Sequence, residues 1–267
     1  MQTISEIYVY PIKSMGAIAL KSAVVTETGF AFDRYWMLVD AHGNCLTQRQ
    51  FPMMALFQLA FADGGIQVSF QGESIIISNS SPTSDIVECH IWEDIVGGIK
   101  EPNEISDWFS GHLKHQVFLV RMAPNSIRHV KRHTPSRVHF PDSSPYLVIG
   151  KASLELLNEK LDSQIPIDRF RPNLVFSGGT PHDEDDWQRI SIGTSDFEGT
   201  KLCARCTVTT IDQKTGQMGE EPLIGLSKYR RINRKIMFGH YFKSVADLGG
   251  TIAIGDKIDI LQRKSAI

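Results

Sequence analysis

The sequence predicts a mixed, β-rich α+β fold, and three observations lead to this prediction. Short runs of alternating apolar and polar residues, bounded by Gly, Asp and Asn, recur along much of the chain. Two other segments have apolar residues at helical spacing. The 267 residues are 42% hydrophobic and 22% charged, close to the averages of folded globular proteins. Many short strands with turn signals between them favour barrels or sandwiches over a parallel sheet.

The strands are justified by this alternation and by the turn residues that separate them. Ile4–Val9 alternates and stops near Pro11, and Trp36–Val39 is followed by a turn-forming cluster. Two hairpins are predicted where a pair of such runs flanks a short turn. They are Ile66–Phe70 with Ile75–Ser78, and Thr251–Ile254 with Lys257–Leu261 around Gly255-Asp256.

Two helices interrupt the strands. The first follows Asn103, which is expected to cap it. Its apolar face consists of Ile105, Trp108, Phe109 and Leu113. The apolar face of the second helix consists of Leu154, Leu157 and Leu161. The polar segment 121–139 is the better candidate for a domain junction, so we expect one domain over residues 1–120 and another over 121–267.

Composition limits the classes of function. Lys plus Arg number 28 and Asp plus Glu 30, and this net charge of −2 argues against a protein built to coat nucleic acid. No window approaches the ~20 apolar residues that a membrane-spanning helix needs. The N-terminus lacks the pattern of a secretory signal. The four cysteines are therefore expected to be reduced, and the expected location is the cytoplasm.

The segment CARC, residues 203–206, is a C-x-x-C with four open interpretations. A thioredoxin-like redox pair needs a motif that opens a helix, whereas the β-branched run TVTTID that follows favours a strand. A structural zinc needs two more ligands, and Cys45 and Cys89 are remote. A single thiolate beside Arg205 could bind a metal cofactor or act as a nucleophile. The residues alone favour the fourth interpretation, in which both cysteines are small side chains packed in the core.

Anion-binding groups occur at several predicted strand ends. Arg169 and Arg171 precede the apolar run LVFSGG, where two guanidinium groups can clamp phosphate or carboxylate. The other such groups are Lys13-Ser14 after the first strand, Arg34 before the strand that contains WMLV, and Asp142–Pro145 before YLVIG. Together with one thiol beside an arginine, they predict a large polyanionic cofactor held between two β-rich domains.

Two charged segments have plainer interpretations. The basic stretch Arg128–Arg137 would welcome an anion, but a run of charge is more often a solvated loop. The acidic run His182–Asp186 lacks the spaced ligands and the glycine of a calcium loop. We therefore expect a solvated turn before Trp187.

The order of several longer motifs identifies a family. In the first half they are YPIKS (Tyr10–Ser14), DRYWMLVD (Asp33–Asp40) and LTQRQFP (Leu46–Pro52). In the second half they are RFRPNLVFSG (Arg169–Gly178), EDDW (Glu184–Trp187), CARCTVTTIDQKTG (Cys203–Gly216), EPL (Glu221–Leu223), Tyr229-Arg230 and FGHYF (Phe238–Phe242). Over nearly its full length the chain resembles proteins with a MOSC domain (molybdenum cofactor sulfurase C-terminal domain) and its associated N-terminal β-barrel domain. YcbX-like proteins and the mitochondrial amidoxime-reducing components belong to this family.

The resemblance implies a fold and a set of roles. It implies a β-barrel-like N-terminal domain and a C-terminal MOSC β-barrel with a few helices. It makes Cys206 the ligand of molybdenum, with Arg205 setting the local potential, while Cys203 is not expected to be essential. The residues implied to hold the pterin and its phosphate are Lys13, Ser14, Arg34, Ser143, Ser144, Arg171 and Asn173. Ala204 departs from the pattern, since some relatives have a serine there, and one cofactor contact is then lost.

The implied function is a molybdenum-cofactor enzyme that reduces N-hydroxylated compounds. The chain has no plant-type C-x₄-C-x₂-C spacing, so the electrons are expected from a separate ferredoxin-like or flavin-reductase-like protein. The alternative is a sulfur carrier or cofactor-handling protein with a persulfide on Cys206. A link to pyridoxal phosphate exists only at the level of the family, through attached desulfurase domains, and Lys13 alone does not suggest a Schiff base. Neither a nucleic acid nor a membrane is an expected partner.

Overall fold

Strands dominate the structure, a computed structural model that describes residues 1–80, 85–126, 128–130, 136–245 and 249–264. The described residues form three α-helices and several sheets. The predicted β-rich α+β class is thereby confirmed. No helix in the described part of the chain is both long and apolar enough to cross a membrane.

The first half of the chain contributes one helix and eleven of the described strands. The strands are β1 (Thr3–Val9), β2 (Ile18–Leu20), β3 (Ser22–Thr26), β4 (Gly29–Phe30), β5 (Trp36–Val39), β6 (Gln58–Ala62), β7 (Gly65–Phe70), β8 (Glu73–Ser78), β9 (Ile86–Ile91), β10 (Asp94–Lys100) and β11 (Phe118–Met122). The helix is α1 (Asn103–Leu113), and Pro52–Leu56 forms a 3-10 helix.

The second half contributes two helices and the longest strands. The strands are β12 (Arg128–Val130), β13 (Ser136–Val138), β14 (Tyr146–Gly150), β15 (Leu174–Ser177), β16 (Trp187–Ile192), β17 (Ser195–Ala204), β18 (Arg231–Ile232), β19 (Lys235–Ser244), β20 (Thr251–Ala253) and β21 (Ile258–Arg263). The helices are α2 (Lys151–Asn158) and α3 (Leu223–Ser227), and the 3-10 helices are Ile167–Phe170, Asp183–Asp186 and Thr207–Thr210.

The largest sheet joins both ends of the chain. Its order is β2-β1-β15-β14-β19-β17-β16-β21, with β18 paired to β19. Strand β3 also pairs with β20. A buried core that includes Ile7, Tyr146, Phe176 and Trp187 lies against this sheet. Residues 3–20 therefore contribute two strands to the sheet of the C-terminal half, and the domain boundary at residue 120 stays a prediction.

The rest of the first half packs around a second core. Its sheets have the orders β5-β11-β10-β9 and β6-β7-β8. Phe109 of α1 is buried with Trp36 and Phe57, and the Phe57 and Phe109 rings lie 5.5 Å apart. Burial of these large aromatic side chains fixes α1 against the two sheets.

One predicted hairpin is confirmed and the other is wrong. Strands β7 and β8 pair as predicted, around a two-residue turn that is shorter than the four residues expected between the two runs. Strands β20 and β21 do not pair with each other, because β20 pairs with β3 and β21 with β16. The start of β1 takes the backbone hydrogen bonds at the turn between them: Ile4 N donates to Asp256 O, and Gly255 N donates to Ile4 O, both at 2.8 Å.

The predicted helices exist, with altered ends. Asn103 is the first helical residue of α1 rather than its cap, which is Pro102. Helix α2 ends at Asn158, so Leu161 lies outside it. The side chain of Asn158 forms hydrogen bonds with both the backbone N–H and the C=O of Ile165. These bonds stabilise the loop between the end of α2 and Ile165. Helix α3 was not predicted.

The strand expected after the C-x-x-C is wrong. Thr207–Thr210 is a 3-10 helix. The hydroxyl groups of Thr209 and Thr210 each donate 2.9 Å hydrogen bonds to the carbonyls three residues earlier. Such local bonds compete with a sheet ladder and outweigh the β propensity of threonine.

The two charged segments also differ from expectation. The turn expected to be solvated is a 3-10 helix in which Glu184 is fully buried. Burial raises the pKa of Glu184 to about 7. Arg128 of the basic stretch is buried and paired with Asp94 at 2.8 Å rather than solvated. Lys131, Arg132 and His133 of that stretch lie outside the described residues.

Candidate cofactor site

One cavity of about 510 Å³ collects the predicted site residues. This volume is within the range of small-molecule and cofactor sites. All nine line it: Lys13, Ser14, Arg34, Ser143, Ser144, Arg171, Asn173, Arg205 and Cys206. They come from segments beside the ends of β1, β5, β14, β15 and β17, as the strand-end pattern predicted. The structure brings these residues together, and their individual roles stay predictions.

The two thiols of the C-x-x-C have different environments. Cys203 is 2% exposed and packs in a cluster with Leu147 and Phe238, and this burial raises the pKa of its thiol. Cys206 follows the end of β17 and is only half-buried. Its Sγ accepts a hydrogen bond from Arg49 Nη2 at 3.3 Å. Cys206 is thus the thiol with a free face on the cavity and a cationic donor beside it.

Lys13 reaches into the cavity from the segment after β1. Its Nζ donates to Phe140 O at 2.8 Å and forms an ion pair with Asp142. Partial desolvation in the cavity wall would raise the pKa of Asp142, half of whose side chain is exposed, but the Lys13 ammonium outweighs it and lowers that pKa to about 2. The carboxylate therefore holds Lys13 in place.

Arg34 links the two halves of the chain at the cavity. Its Nη1 donates to Asp33 at 2.5 Å, the local ion pair that the sequence suggested, and to Asn173 Oδ1 at 3.1 Å. Its Nη2 donates to Arg171 O at 3.3 Å. Burial alone would lower the pKa of Arg34, and the Asp33 carboxylate leaves it raised. Because Asn173 is itself buried, this network fixes the backbone where β15 begins.

Arg171 carries a positive charge without a carboxylate among its hydrogen-bond partners in the described residues. Its Nη1 donates to Met15 O at 2.7 Å. Its guanidinium lies 4.3 Å from the Tyr10 ring centre, and that of Arg34 lies 4.2 Å from the same ring. Burial lowers the pKa of Arg171 to about 10, and the nearby Arg34 charge adds to the effect. An anion in the cavity would offset that cost.

The hydroxyl turn and Arg205 complete the wall. Ser144 Oγ forms a 2.8 Å hydrogen bond with Thr200 Oγ1. Arg205 Nε donates to Phe238 O at 2.8 Å and Nη1 to Phe170 O at 2.9 Å. The Arg205 guanidinium is therefore held by main-chain carbonyls.

Unpartnered buried atoms show what the cavity can accept. Three of its lining residues have a buried side-chain polar atom without a hydrogen-bond partner: Ser143 Oγ, Arg169 Nε and Arg205 Nη2. Buried polar groups normally have partners, so these donors indicate a ligand rich in acceptor atoms. A pterin with a phosphate group fits this set of hydroxyl and guanidinium donors, and a thiolate is a suitable soft ligand for its metal.

Sequence analysis missed Arg49 as a site residue. It lies in the quoted LTQRQFP motif, but nothing in its local pattern indicates that it faces Cys206, 157 residues further along. Its guanidinium lies 4.6 Å from the centre of the exposed Trp92 ring. Thr47, Lys235 and Tyr241 also line the cavity. Only the tertiary fold reveals these neighbours.

A second polar cluster lies apart from the lining residues of the cavity. Ligand atoms of His182, Glu184 and Asp185 lie within 4.8 Å of one another. Asp185 is already paired with Arg230 at 2.5 Å, and Glu184 accepts hydrogen bonds from Ser153. These partners tie both carboxylates into the fold, while Asp185 Oδ1 and both ring nitrogens of His182 are buried without a hydrogen-bond partner in the described residues.

Comparison with protein families gives two matches that together span most of the chain. Residues 1–116 match the MOSC N-terminal beta barrel domain, and residues 135–259 match the MOSC domain. Both matches agree with the architecture and with the motifs quoted from the sequence.

Curated relatives extend over nearly the whole chain. Mitochondrial amidoxime-reducing component 1 of Mus musculus is 31% identical, over 97% of this chain and 82% of its own length. The Homo sapiens protein of the same name is 30% identical, over 97% and 83%. The molybdenum cofactor sulfurase of Oryza sativa subsp. japonica is 31% identical over 88% of this chain, which spans only 32% of that relative.

Among solved structures, the YuaD protein of Bacillus subtilis aligns with 97% of this chain and 94% of its own, at 10% identity and a TM-score of 0.42. That likeness is too low to support an argument. The names of the curated relatives support an oxidoreductase role and a function related to the molybdenum cofactor. The chain belongs to the MOSC-domain family, in the group with an N-terminal β-barrel domain that includes the mitochondrial amidoxime-reducing components.

Proposed function

We propose that the protein binds a molybdenum cofactor through Cys206 and reduces N-hydroxylated compounds. The observation that carries the proposal is the cavity, in which a half-buried thiol faces basic and hydroxyl groups from both halves of the chain. The relatives named amidoxime-reducing components give the substrate class. The overall reaction is R–NHOH + 2 e⁻ + 2 H⁺ → R–NH₂ + H₂O, where R is the rest of the substrate.

Each part of the cavity has a task in this proposal. Lys13, Arg34 and Arg171 bind the phosphate end, since guanidinium and ammonium donors favour that anion. Ser143 and Ser144 donate to polar atoms of the pterin. Cys206 would supply the thiolate ligand of the metal from its half-buried side chain in the cavity wall. When bound, the metal supplies the two electrons and a site for the substrate oxygen as the N–O bond breaks.

Arg49 lies on the side of Cys206 that faces the N-terminal half. Its N–H group donates to the sulfur and its planar face stacks on Trp92. Hydrogen bonds to a ligand sulfur orient it and tune the potential of its metal. We assign this task to Arg49 rather than to Arg205, whose side-chain hydrogen bonds in the described residues go to the carbonyls of Phe170 and Phe238.

The direct test is turnover of benzamidoxime to benzamidine by protein purified from a host that makes the cofactor. Reduced methyl viologen replaces the unknown donor, and chromatography measures the product. We expect turnover by the wild type and by Cys203→Ser, and loss of turnover in Cys206→Ser. Metal-loaded wild-type protein that leaves a panel of amidoximes, hydroxylamines and N-hydroxylated bases unchanged would contradict the proposal.

The alternative is sulfur transfer by a Cys206 persulfide. It is favoured by the exposed face of that thiol and by the similarity to the rice molybdenum cofactor sulfurase. Mass spectrometry separates the two functions. An added mass of about 32 Da, one sulfur atom, on Cys206 of metal-free protein would support the alternative. A cytoplasmic location remains a proposal in either case.

A further inference from the structure

A short basic hairpin contributes one residue, Lys235, to the cavity wall. Strands β18 and β19 pair Arg231 with Ile236 and Ile232 with Lys235, so Asn233 and Arg234 form the turn. Arg231, Arg234 and Lys235 are exposed, and so is 40% of Ile232. None of the ion pairs in the described part of the chain involves these three cations. The hairpin thus concentrates positive charge on a molecule whose net charge is only −2.

The hairpin is connected directly to the strand that leads to Cys206. Arg205 N donates to Ile236 O at 2.8 Å, and Ala204 pairs with Met237 across the sheet. Lys235 lines the cavity itself. At about 3.4 Å per residue, the turn at Arg234 lies about 7 Å along the strand from Ile236. A protein bound to the hairpin would therefore sit beside the thiol.

The neighbouring Arg230 differs from the exposed cations of the hairpin, because its guanidinium is paired within the fold. Its Nη2 pairs with Asp185 at 2.5 Å and its Nε donates to Met237 O, so it serves the fold. Arg231 and Arg234 have no such partners among the described residues.

Backbone conformation at the turn gives an independent observation. Asn233 has φ 48° and Arg234 has φ 64°. Two-residue hairpin turns with positive φ at both positions favour Asn-Gly, because glycine adopts this conformation without strain. The chain has an arginine in the glycine position, so the turn displays a guanidinium at some cost to its own stability.

We propose that this hairpin is the docking surface for a small acidic electron carrier. The inference rests on the proposed function, which needs an external donor. Two reduced one-electron carriers together deliver the two electrons, and the two protons come from solvent. Acidic charge on the carrier would complement the hairpin and steer its approach, and Ile232 would give a small apolar contact. Electron-transfer encounters characteristically use small interfaces of this kind.

The test uses the metal-loaded protein and a reduced plant-type [2Fe–2S] ferredoxin, a small acidic carrier. Stopped-flow absorption follows ferredoxin oxidation without any N-hydroxylated substrate. For Arg231→Glu/Arg234→Glu we expect the second-order rate at low salt to fall about tenfold or more, because charge steering changes association rates by at least that factor. The difference should shrink at high salt, where the charges are screened. Titration with oxidised ferredoxin should show the same loss of binding.

The matched control is Lys21→Glu/Lys114→Glu. Both lysines are exposed and absent from the cavity wall, and Lys114 also has a positive φ of 52°. This control has the same net charge as the hairpin variant and should keep the wild-type rate. Arg234→Gly should unfold at the same or a higher temperature than wild type, yet react more slowly with ferredoxin.

Two results would overturn the proposal. One is an unchanged low-salt rate for Arg231→Glu/Arg234→Glu. The other is wild-type protein whose metal is reduced by methyl viologen but not by ferredoxin. If the hairpin variants slow ferredoxin oxidation while no N-hydroxylated compound is reduced, the docking surface stands and the proposed function fails. If methyl viologen supports turnover and the hairpin variants keep the wild-type ferredoxin rate, the proposed function stands and the docking surface fails.

Discussion

Arg121 and Arg171 are two enclosed arginines that the chain treats in opposite ways. Arg121 is 3% exposed and forms an ion pair with Glu101 at 2.5 Å, and its remaining N–H groups donate to the carbonyls of Ser78 and Asn79. Arg171 lies in the cavity wall with one described hydrogen bond, to Met15 O. The first charge is balanced within the chain, whereas the second is not.

This difference separates a charge that stabilises the fold from one that is left for a ligand under the proposed function. A buried arginine with a carboxylate and full hydrogen bonding stabilises one conformation of its surroundings. A buried arginine without a counter-ion lowers stability until an anion arrives. In the cavity wall Arg171 and Arg205 have no carboxylate among their described hydrogen-bond partners, whereas Lys13 and Arg34 are paired with Asp142 and Asp33.

The largest expected effect is on the Arg121 side of the comparison. Arg121→Leu leaves Glu101 buried without its cation, so we expect a loss of about 3–5 kcal/mol of unfolding free energy. Urea denaturation measures it. Arg121→Leu/Glu101→Leu should recover most of the loss, because no unpaired charge remains. An Arg121→Leu variant as stable as wild type would contradict the comparison between Arg121 and Arg171.

Glu184 tests the same rule with a negative charge. Burial raises its folded pKa to about 7, above the unfolded value of 4.5. The folded state then binds more protons between these values, so stability should fall as pH rises from about 4.5 to 7 and stay low above 7. The total is about 3 kcal/mol. Glu184→Gln should be more stable than wild type at pH 8 and lose that advantage by pH 4.5, as measured by denaturation at both pH values.

Arg171→Met should have the opposite signature to Arg121→Leu. Cofactor retention should fall tenfold or more, since a charge-assisted hydrogen bond contributes about 1.5–3 kcal/mol. The unfolding free energy of the cofactor-free protein should equal or exceed that of wild type, because no carboxylate loses a partner and an unbalanced charge is removed. Pterin fluorescence after release and urea denaturation give the two readouts. A large loss of stability with normal retention would make Arg171 a structural residue.

The smallest expected effect is at Arg49, the exposed cation beside the thiol. Arg49→Met removes the donor to Cys206 and should lower metal retention about two- to tenfold, near the lower limit for residues that orient a ligand. Arg49→Lys should keep the charge but not the flat stacking on Trp92, so an intermediate value is expected. The measurement is the metal content per folded protein. Unchanged metal retention in both variants would show that Arg49 has no part in the site.

The strand-end pattern predicted which residues line the cavity, and the roles assigned to those residues stay predictions. Lys13, Arg34 and Arg171 do meet, because irregular segments beside sheet edges converge on one cavity. Arg49 could not be found this way, since its position depends on how the two halves pack. The burial of Glu184 was equally hidden, because an acidic run looks solvated until Ser153 and Gly150 supply its hydrogen bonds.

Local propensity failed where longer-range or side-chain bonds compete with it. The threonines after Cys206 bond to their own backbone and form a 3-10 helix rather than a strand. The last two strands each find partners elsewhere, because β1 occupies the turn between them. The hairpin of β7 and β8 was predicted correctly, because its two strands are adjacent in sequence.

The central claim is that Cys206 holds a molybdenum cofactor and Cys203 does not. The most direct measurement is molybdenum and pterin content per protein for wild type, Cys206→Ser and Cys203→Ser, expressed in one host that makes the cofactor. We predict stoichiometric metal in the wild type, a similar value in correctly folded Cys203→Ser, and less than about a tenth of it in Cys206→Ser. Metal retained in full by Cys206→Ser would contradict the account.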